Sequence, residues 1–198
     1  MPPAAQGPAP GAPPPLLRLR PTMLSDLDWV ATVERDPHNL PFITPWDRTQ
    51  HESAVRFPDF RHFIVETDAE AAGPAGRAGF VILQGCRNPH RSVELKRLVL
   101  SIHGLGLGRR CVRLLKRMAF GELGAHRFWL DVKSLNSRAL RLYASEGFIE
   151  EGRLRESVRV LPVPAGTSLA QADGYDSLVV MSLLDREYQA RVAMEQEV

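Results

Sequence analysis

Residues 101–110 read Ser101-Ile102-His103-Gly104-Leu105-Gly106-Leu107-Gly108-Arg109-Arg110. Before them, residues 92–101 carry VELKRLVL, the apolar and β-branched content of a long strand. After them, Leu107, Cys111, Leu114, Leu115 and Met118 recur at helical spacing, which predicts a helix over 105–122 that stops by Gly124. A strand that turns through three glycines into a helix brings free backbone N–H groups to one point. The helix dipole makes that point favourable for an anion. A phosphate or pyrophosphate is the guest this turn suits. It is not a Walker A loop, because no Gly-Lys-Ser/Thr is present. It is a poor dinucleotide fingerprint as well, because Arg109 stands where the third glycine is needed. A tight strand-to-helix turn with no ligand is the plain alternative for the same glycines.

Charge adds a second signal. The chain is only +2 overall, yet residues 95–121 hold seven basic residues (Lys96, Arg97, Arg109, Arg110, Arg113, Lys116, Arg117) and no acidic one. Arg109, Arg113 and Lys116 share one helical face. Lys116 and Arg117 read as a solvated face. Arg109 and Arg110 sit in the first turn, where cations oppose the dipole, and an anionic ligand would resolve that conflict.

Outward from this segment the pattern is a mixed α/β domain. Strands are predicted at 16–20, 62–67, 77–83, 127–132, 148–160 and 177–184, and helices at 25–35, 47–57 and 135–145. Residues 38–46 form a proline-punctuated loop with large apolar side chains, and residues 162–166 a Pro/Gly-rich turn.

A length of 198 residues with 44% hydrophobic content suits one packed domain. Seven of the 16 prolines fall in the first 15 residues, which predicts a solvated tail over 1–15 and a folded domain over 16–188, with 189–198 an extension. The small net charge argues against nucleic acid or an anionic membrane as a partner. No basic, apolar leader and no run of about 20 apolar residues is present, so a cytoplasmic protein is expected. Cys86 and Cys111 are too few for a disulfide framework, and the six histidines lack ligand-pair spacing, so no metal is expected.

Residues 136–148, Asn136-Ser137-Arg138-Ala139-Leu140-Arg141-Leu142-Tyr143-Ala144-Ser145-Glu146-Gly147-Phe148, supply a second motif. Together with the glycine turn they resemble the GNAT superfamily of acetyl-CoA-dependent N-acetyltransferases. The family's Gln/Arg-x-x-Gly-x-Gly/Ala motif is taken here by His103 to Gly108, with His103 in place of Gln or Arg. Its Asn-x-x-Ala-x-x-x-Tyr-x-x-x-Gly-Phe motif is matched by Asn136, Ala139, Tyr143, Gly147 and Phe148. The likeness spans about residues 16–188. Gly152 to Glu156 and Gly174 to Asp176 are similar to the branch that includes ribosomal-protein N-terminal acetyltransferases.

The resemblance implies one mixed, mostly antiparallel sheet flanked by helices, with acetyl-CoA in a splay between two strands. It implies that main-chain groups of Leu98 and Leu100 pair with pantetheine. It implies a pyrophosphate on the N–H groups of His103, Gly104, Leu105, Gly106, Leu107, Gly108 and Arg109, and Asn136 on the pantetheine arm. Tyr143 would protonate the departing thiolate, and Glu94, ahead of Asp131, would take the proton of the attacking amine. Phe42, Trp46 and His51 are candidate walls for the acceptor, a small-molecule amine or a protein N-terminus. Late strands such as 177–184 offer an edge for a homodimer. A non-catalytic acyl-CoA-sensing domain and a nucleotide-binding module stay open as alternatives.

Overall fold

The computed structural model describes residues 15–160 and 174–196. The expected tail (except Pro15) and the turn at 162–166 lie outside the described residues. The order is β1 (Leu17–Pro21), α1 (Leu27–Glu34), α2 (Arg48–Arg56), β2 (Arg61–Thr67), β3 (Arg77–Gln84), β4 (Ser92–Leu100), α3 (Leu107–Arg117), β5 (Arg127–Lys133), α4 (Ser137–Ser145), β6 (Ile149–Arg159), β7 (Tyr175–Leu184) and α5 (Asp185–Gln196). The strands form one sheet in the order β1-β2-β3-β4-β5-β7-β6. Every pairing is antiparallel except that of β4 with β5.

That one parallel pairing matters most. It holds only at Ser92–Arg127, Val93–Phe128 and Glu94–Trp129, and then the strands part. The parting coincides with a bulge. Ile82 pairs with Arg97 and Leu83 with Leu95, which leaves Lys96 as the extra residue that bends β4.

Side-chain alternation assigns the two faces. Val93 and Leu95 of β4 and Phe128, Leu130 and Val132 of β5 pack with Leu107, Cys111, Val112 and Leu115 of α3, in the larger core. Val99 packs on the other face with Val30 and Val33 of α1, Ile64, Phe80 and Ile82. Trp129, Asp131 and Lys133, at the alternate positions of β5, therefore face the α1–α2 side.

One helix escapes the sequence pattern. Residues 185–196 have no apolar stripe, yet they form α5, held by Tyr188 stacked on Phe120 with ring centroids 4.6 Å apart. Arg191 fills the space beside Gly147, whose φ of +99° and lack of a side chain both matter: a Cβ there would lie 2.7 Å from Arg191 Nε. The expected domain edge at 188 falls inside this helix.

Candidate active site

The splay opens into a cavity of about 1220 Å³. Such a volume exceeds the roughly 300–1,000 Å³ of an ordinary single-ligand pocket. On the α3 side it is lined by His103, Gly104, Gly106, Leu107, Gly108, Arg109, Asn136, Arg138, Arg141 and Tyr143, together with Leu98 and Leu100 of β4. On the α1–α2 side it reaches Phe42, Trp46, Arg97, Asp131 and Lys133.

The glycines divide their work. Gly104 and Gly106 have φ of +85° and +69°, and a Cβ on either would meet nothing within 4 Å. They serve the turn itself and leave open space in front of it. Gly108 serves packing: a Cβ there would already touch Leu142 at 3.4 Å, so its absence lets α3 approach α4. Among the described residues, no hydrogen bond occupies the backbone N–H groups of residues 102–109, and that of Arg110 bonds back to Gly106 at 3.3 Å. A row of unpartnered N–H groups at a helix start, facing a cavity, fits a pyrophosphate.

The basic face of α3 has an internal counter-charge. Glu146, 3% exposed, accepts from Arg109 at 2.7 Å, Arg113 at 3.2 Å and Lys116 at 2.9 Å. These hydrogen bonds hold its carboxyl below the ordinary range against the opposing effect of burial. Arg110 donates to the Pro15 carbonyl. Arg109 and Arg110, expected to await an anionic ligand, thus already have partners within the protein, although Arg109 also lines the cavity, and Lys116, expected on a solvated face, is buried. Arg138 and Arg141 are placed differently. They line the cavity one helical turn apart on α4 and make no ion pair among the described residues. Both occupy the variable positions of the Asn-to-Gly-Phe motif, so only their helical spacing could have signalled them.

Other expected residues fall as follows. Asn136 spends its side-chain oxygen capping α4, on the Ala139 N–H at 3.1 Å, which leaves its amide NH₂ for a ligand. The Leu100 carbonyl already accepts from Asn39 at 3.2 Å. Leu105 does not line the cavity and packs against the larger core. His51 is no wall residue: it is fully buried on the inner face of α2 with Ala54. There it meets Glu34 at 3.1 Å and His62 at 3.2 Å, and His62 meets Thr22 at 2.9 Å. Burial and the neighbouring His51 push His62 down to about 3.

Tyr143 and the two carboxylates differ sharply in their surroundings. Tyr143 is 8% exposed, its ring edge-on to Phe148, and its hydroxyl has no hydrogen-bond partner among the described residues. Burial, with smaller contributions from Cys111 and Asp131, pushes its phenol far above the ordinary value. It therefore stays protonated near neutrality. Asp131 lines the same cavity and has no partner among the described residues. Glu94 is outside the lining and pairs with Lys96 at 3.0 Å. Glu94 is the last residue of β4 still paired with β5, at Trp129, so it lies before the strands part.

No three His, Cys, Asp or Glu side chains group as a metal site among the described residues, and no described helix is long and apolar enough to cross a membrane. The chain is 28% identical over 149 residues to spermidine N(1)-acetyltransferase of Escherichia coli K12, covering 70% of this chain and 75% of that protein. It is 34% identical over 97 residues to the Vibrio cholerae spermidine N(1)-acetyltransferase, covering 48% of this chain and 53% of that one. A solved structure of the Vibrio cholerae spermidine N-acetyltransferase with CoA and spermine superposes with a TM-score of 0.71 at 23% identity, over 87% of this chain and 98% of that one. That protein has also been solved as a dodecamer. The expected likeness to ribosomal-protein acetyltransferases is corrected by these relatives. The residues that carried it lie on β6 and the start of β7, outside the two motifs. The model of the acetyltransferase (GNAT) family matches residues 23–148, and the chain belongs to that family, an N-acetyltransferase family that uses acetyl-CoA.

Proposed function

We propose that this protein moves the acetyl group of acetyl-CoA to a primary amine by direct attack, with both substrates in the cavity together. One observation carries the reading. Tyr143 and Asp131, neither with a partner among the described residues, open onto one cavity that also holds the unpartnered N–H groups of the glycine turn. In this reading the N–H groups of 103–109 hold the pyrophosphate and Arg138 and Arg141 hold outer phosphate oxygens. Asp131 takes a proton from the incoming ammonium. The amine nitrogen then bonds to the thioester carbon, the carbon–sulfur bond breaks, and Tyr143 gives its phenolic proton to the departing thiolate. Asp131 replaces Glu94 as base, because Glu94 is tied to Lys96 behind the cavity wall.

For the acceptor, the names of the relatives bring a polyamine to this chain as the first reading. The charges lining the cavity favour a second, developed below. Release of CoA thiol from acetyl-CoA with a panel of polyamines, monoamines, amino acids and peptides tests the proposal. Acetyl-CoA binding without turnover on any acceptor would favour the sensing-domain alternative.

A further inference from the structure

The acceptor side of the cavity is built for less positive charge than a polyamine carries. Phe42, Ile43, Thr44 and Trp46 line it together with Lys96, Arg97, Asp131 and Lys133, and two of these cations reach carbonyls of the 41–46 loop, Arg97 that of Thr44 at 3.0 Å and Lys133 that of Pro41 at 3.1 Å. Asp131 is the single carboxylate among the described lining residues. Two acids behind the wall are already committed. Glu94 pairs with Lys96. Glu34, fully buried, accepts from the Trp46 N–H at 2.8 Å and meets His51 at 3.1 Å and Arg97 at 3.5 Å.

Lys133 stands apart from the other two cations. It is 4% exposed and has no carboxylate in ion-pair contact among the described residues. Its ammonium donates to the carbonyls of Pro41 at 3.1 Å and Ile43 at 3.5 Å, two of its three N–H groups. A buried ammonium whose direct partners are neutral carbonyls has only the more distant Asp176 carboxylate to offset its charge. Desolvation accordingly draws its pKa below the ordinary lysine value, with Asp176 pulling it back by less. Spermidine would bring two ammonium groups beyond the one that reacts. The lining would set them against Lys133 and Arg97 with no carboxylate to receive them, and such like-charge opposition rejects a ligand strongly.

We propose that the acceptor is a primary amine carrying its own carboxylate, an amino acid with an apolar side chain, bound with its carboxylate on Lys133 and its amine toward Asp131. The two residues sit at alternate positions on one face of β5, about 6.6 Å apart along the strand, close enough for converging side chains to hold both ends of one amino acid. Phe42, Ile43 and Trp46 supply an apolar surface for the rest of the molecule. The ammonium–carboxylate contact is a charge-assisted hydrogen bond, the strong kind. The inference rests on the acetyltransferase reading above.

The test is thiol release by the full chain with phenylalanine, leucine and methionine, their carboxamides, and spermidine, beside calorimetry of acetyl-CoA binding. The expected result is a kcat/KM for the acids at least tenfold above that for the amides, and higher still over spermidine. In Lys133→Gln the acid-to-amide ratio should fall toward one. Lys133→Arg, which keeps the charge and the carbonyl contacts, should restore part of it. Because the readout is a ratio, lost stability in either variant does not imitate it. Spermidine turned over as well as the acids, or equal rates for acids and amides, would overturn the proposal while leaving acetyl transfer intact. Acetyl-CoA bound but no acceptor acetylated would overturn both readings.

Discussion

Glu146 and Lys116 lie 2.9 Å apart, both nearly buried, with the Glu146 backbone carbonyl also accepting from the Lys116 ammonium at 2.8 Å. This contact ties the end of α4 to the last turn of α3 and anchors two further cations. Removing the carboxylate strands a buried ammonium, the situation in which a broken buried pair costs most. Glu146→Gln should lower the stability to urea unfolding by about 3 kcal/mol. Arg113→Ala, at a half-exposed partner, should cost under about 1 kcal/mol. Similar losses in the two variants would show that the buried Lys116 contact is not the one that counts.

Replacing Tyr143 by Phe removes only a hydroxyl that makes no hydrogen bond among the described residues, so the fold should be unaffected. The proton for the departing thiolate would then have to come from water. Turnover should fall about 100-fold, within the usual range for one general acid, with acetyl-CoA affinity unchanged by calorimetry. A variant that turns over at the parental rate would remove Tyr143 from the mechanism.

The two carboxylates separate by their partners. Asp131→Asn should cut kcat about 100-fold and flatten the acidic limb of the pH–rate profile, because the variant offers no basic oxygen to the ammonium. Glu94→Gln should keep both rate and profile within a few-fold, since Glu94 serves Lys96 and not the cavity. The reverse outcome would return the base to Glu94.

How far the sequence foretold this site follows from where each signal was stored. The β4 strand, its glycine turn and α3 were legible because local spacing fixes them: apolar periodicity marks the elements and the glycines mark the turn. Tyr143 was singled out through the family resemblance, by its fixed distances from Asn136 and Gly147, and it lines the cavity. The sink at Glu146 was not, since it lies 30 to 37 residues from the cations it neutralises. The bulge at Lys96 was hidden as well. It is a matter of register against β3, which local spacing along β4 does not carry. His51 misled because a polar helix shows no apolar stripe to tell its inner face from its outer one. Helix α5 hid behind the same absence, and its contacts, Tyr188 on Phe120 and Arg191 beside Gly147, come from distant parts of the chain.

The buried chain Thr22–His62–His51–Glu34 should leave a mark on stability. Thr22 Oγ1 lies 2.9 Å from His62 Nδ1, His62 Nε2 3.2 Å from His51 Nδ1, and His51 Nε2 3.1 Å from Glu34, so a neutral His62 can accept from the Thr22 hydroxyl and donate to His51. Burial, with the neighbouring His51, draws His62 down to about 3 in the folded protein, against 6.5 when free of the fold. Between those two values the unfolded chain binds a proton at this residue that the folded one refuses. Stability must therefore rise with pH from about 3 to about 6.5 on account of His62, by at most about 1.4 kcal/mol per pH unit, and level off above. His62→Gln, whose amide can donate to His51 and accept from Thr22, lacks the titrating group. Urea unfolding between pH 4 and 7 should give a shallower pH slope for this variant than for the parent. Parallel slopes would mean that His62 binds its proton as readily folded as unfolded, and a neutral buried His62 would then be wrong.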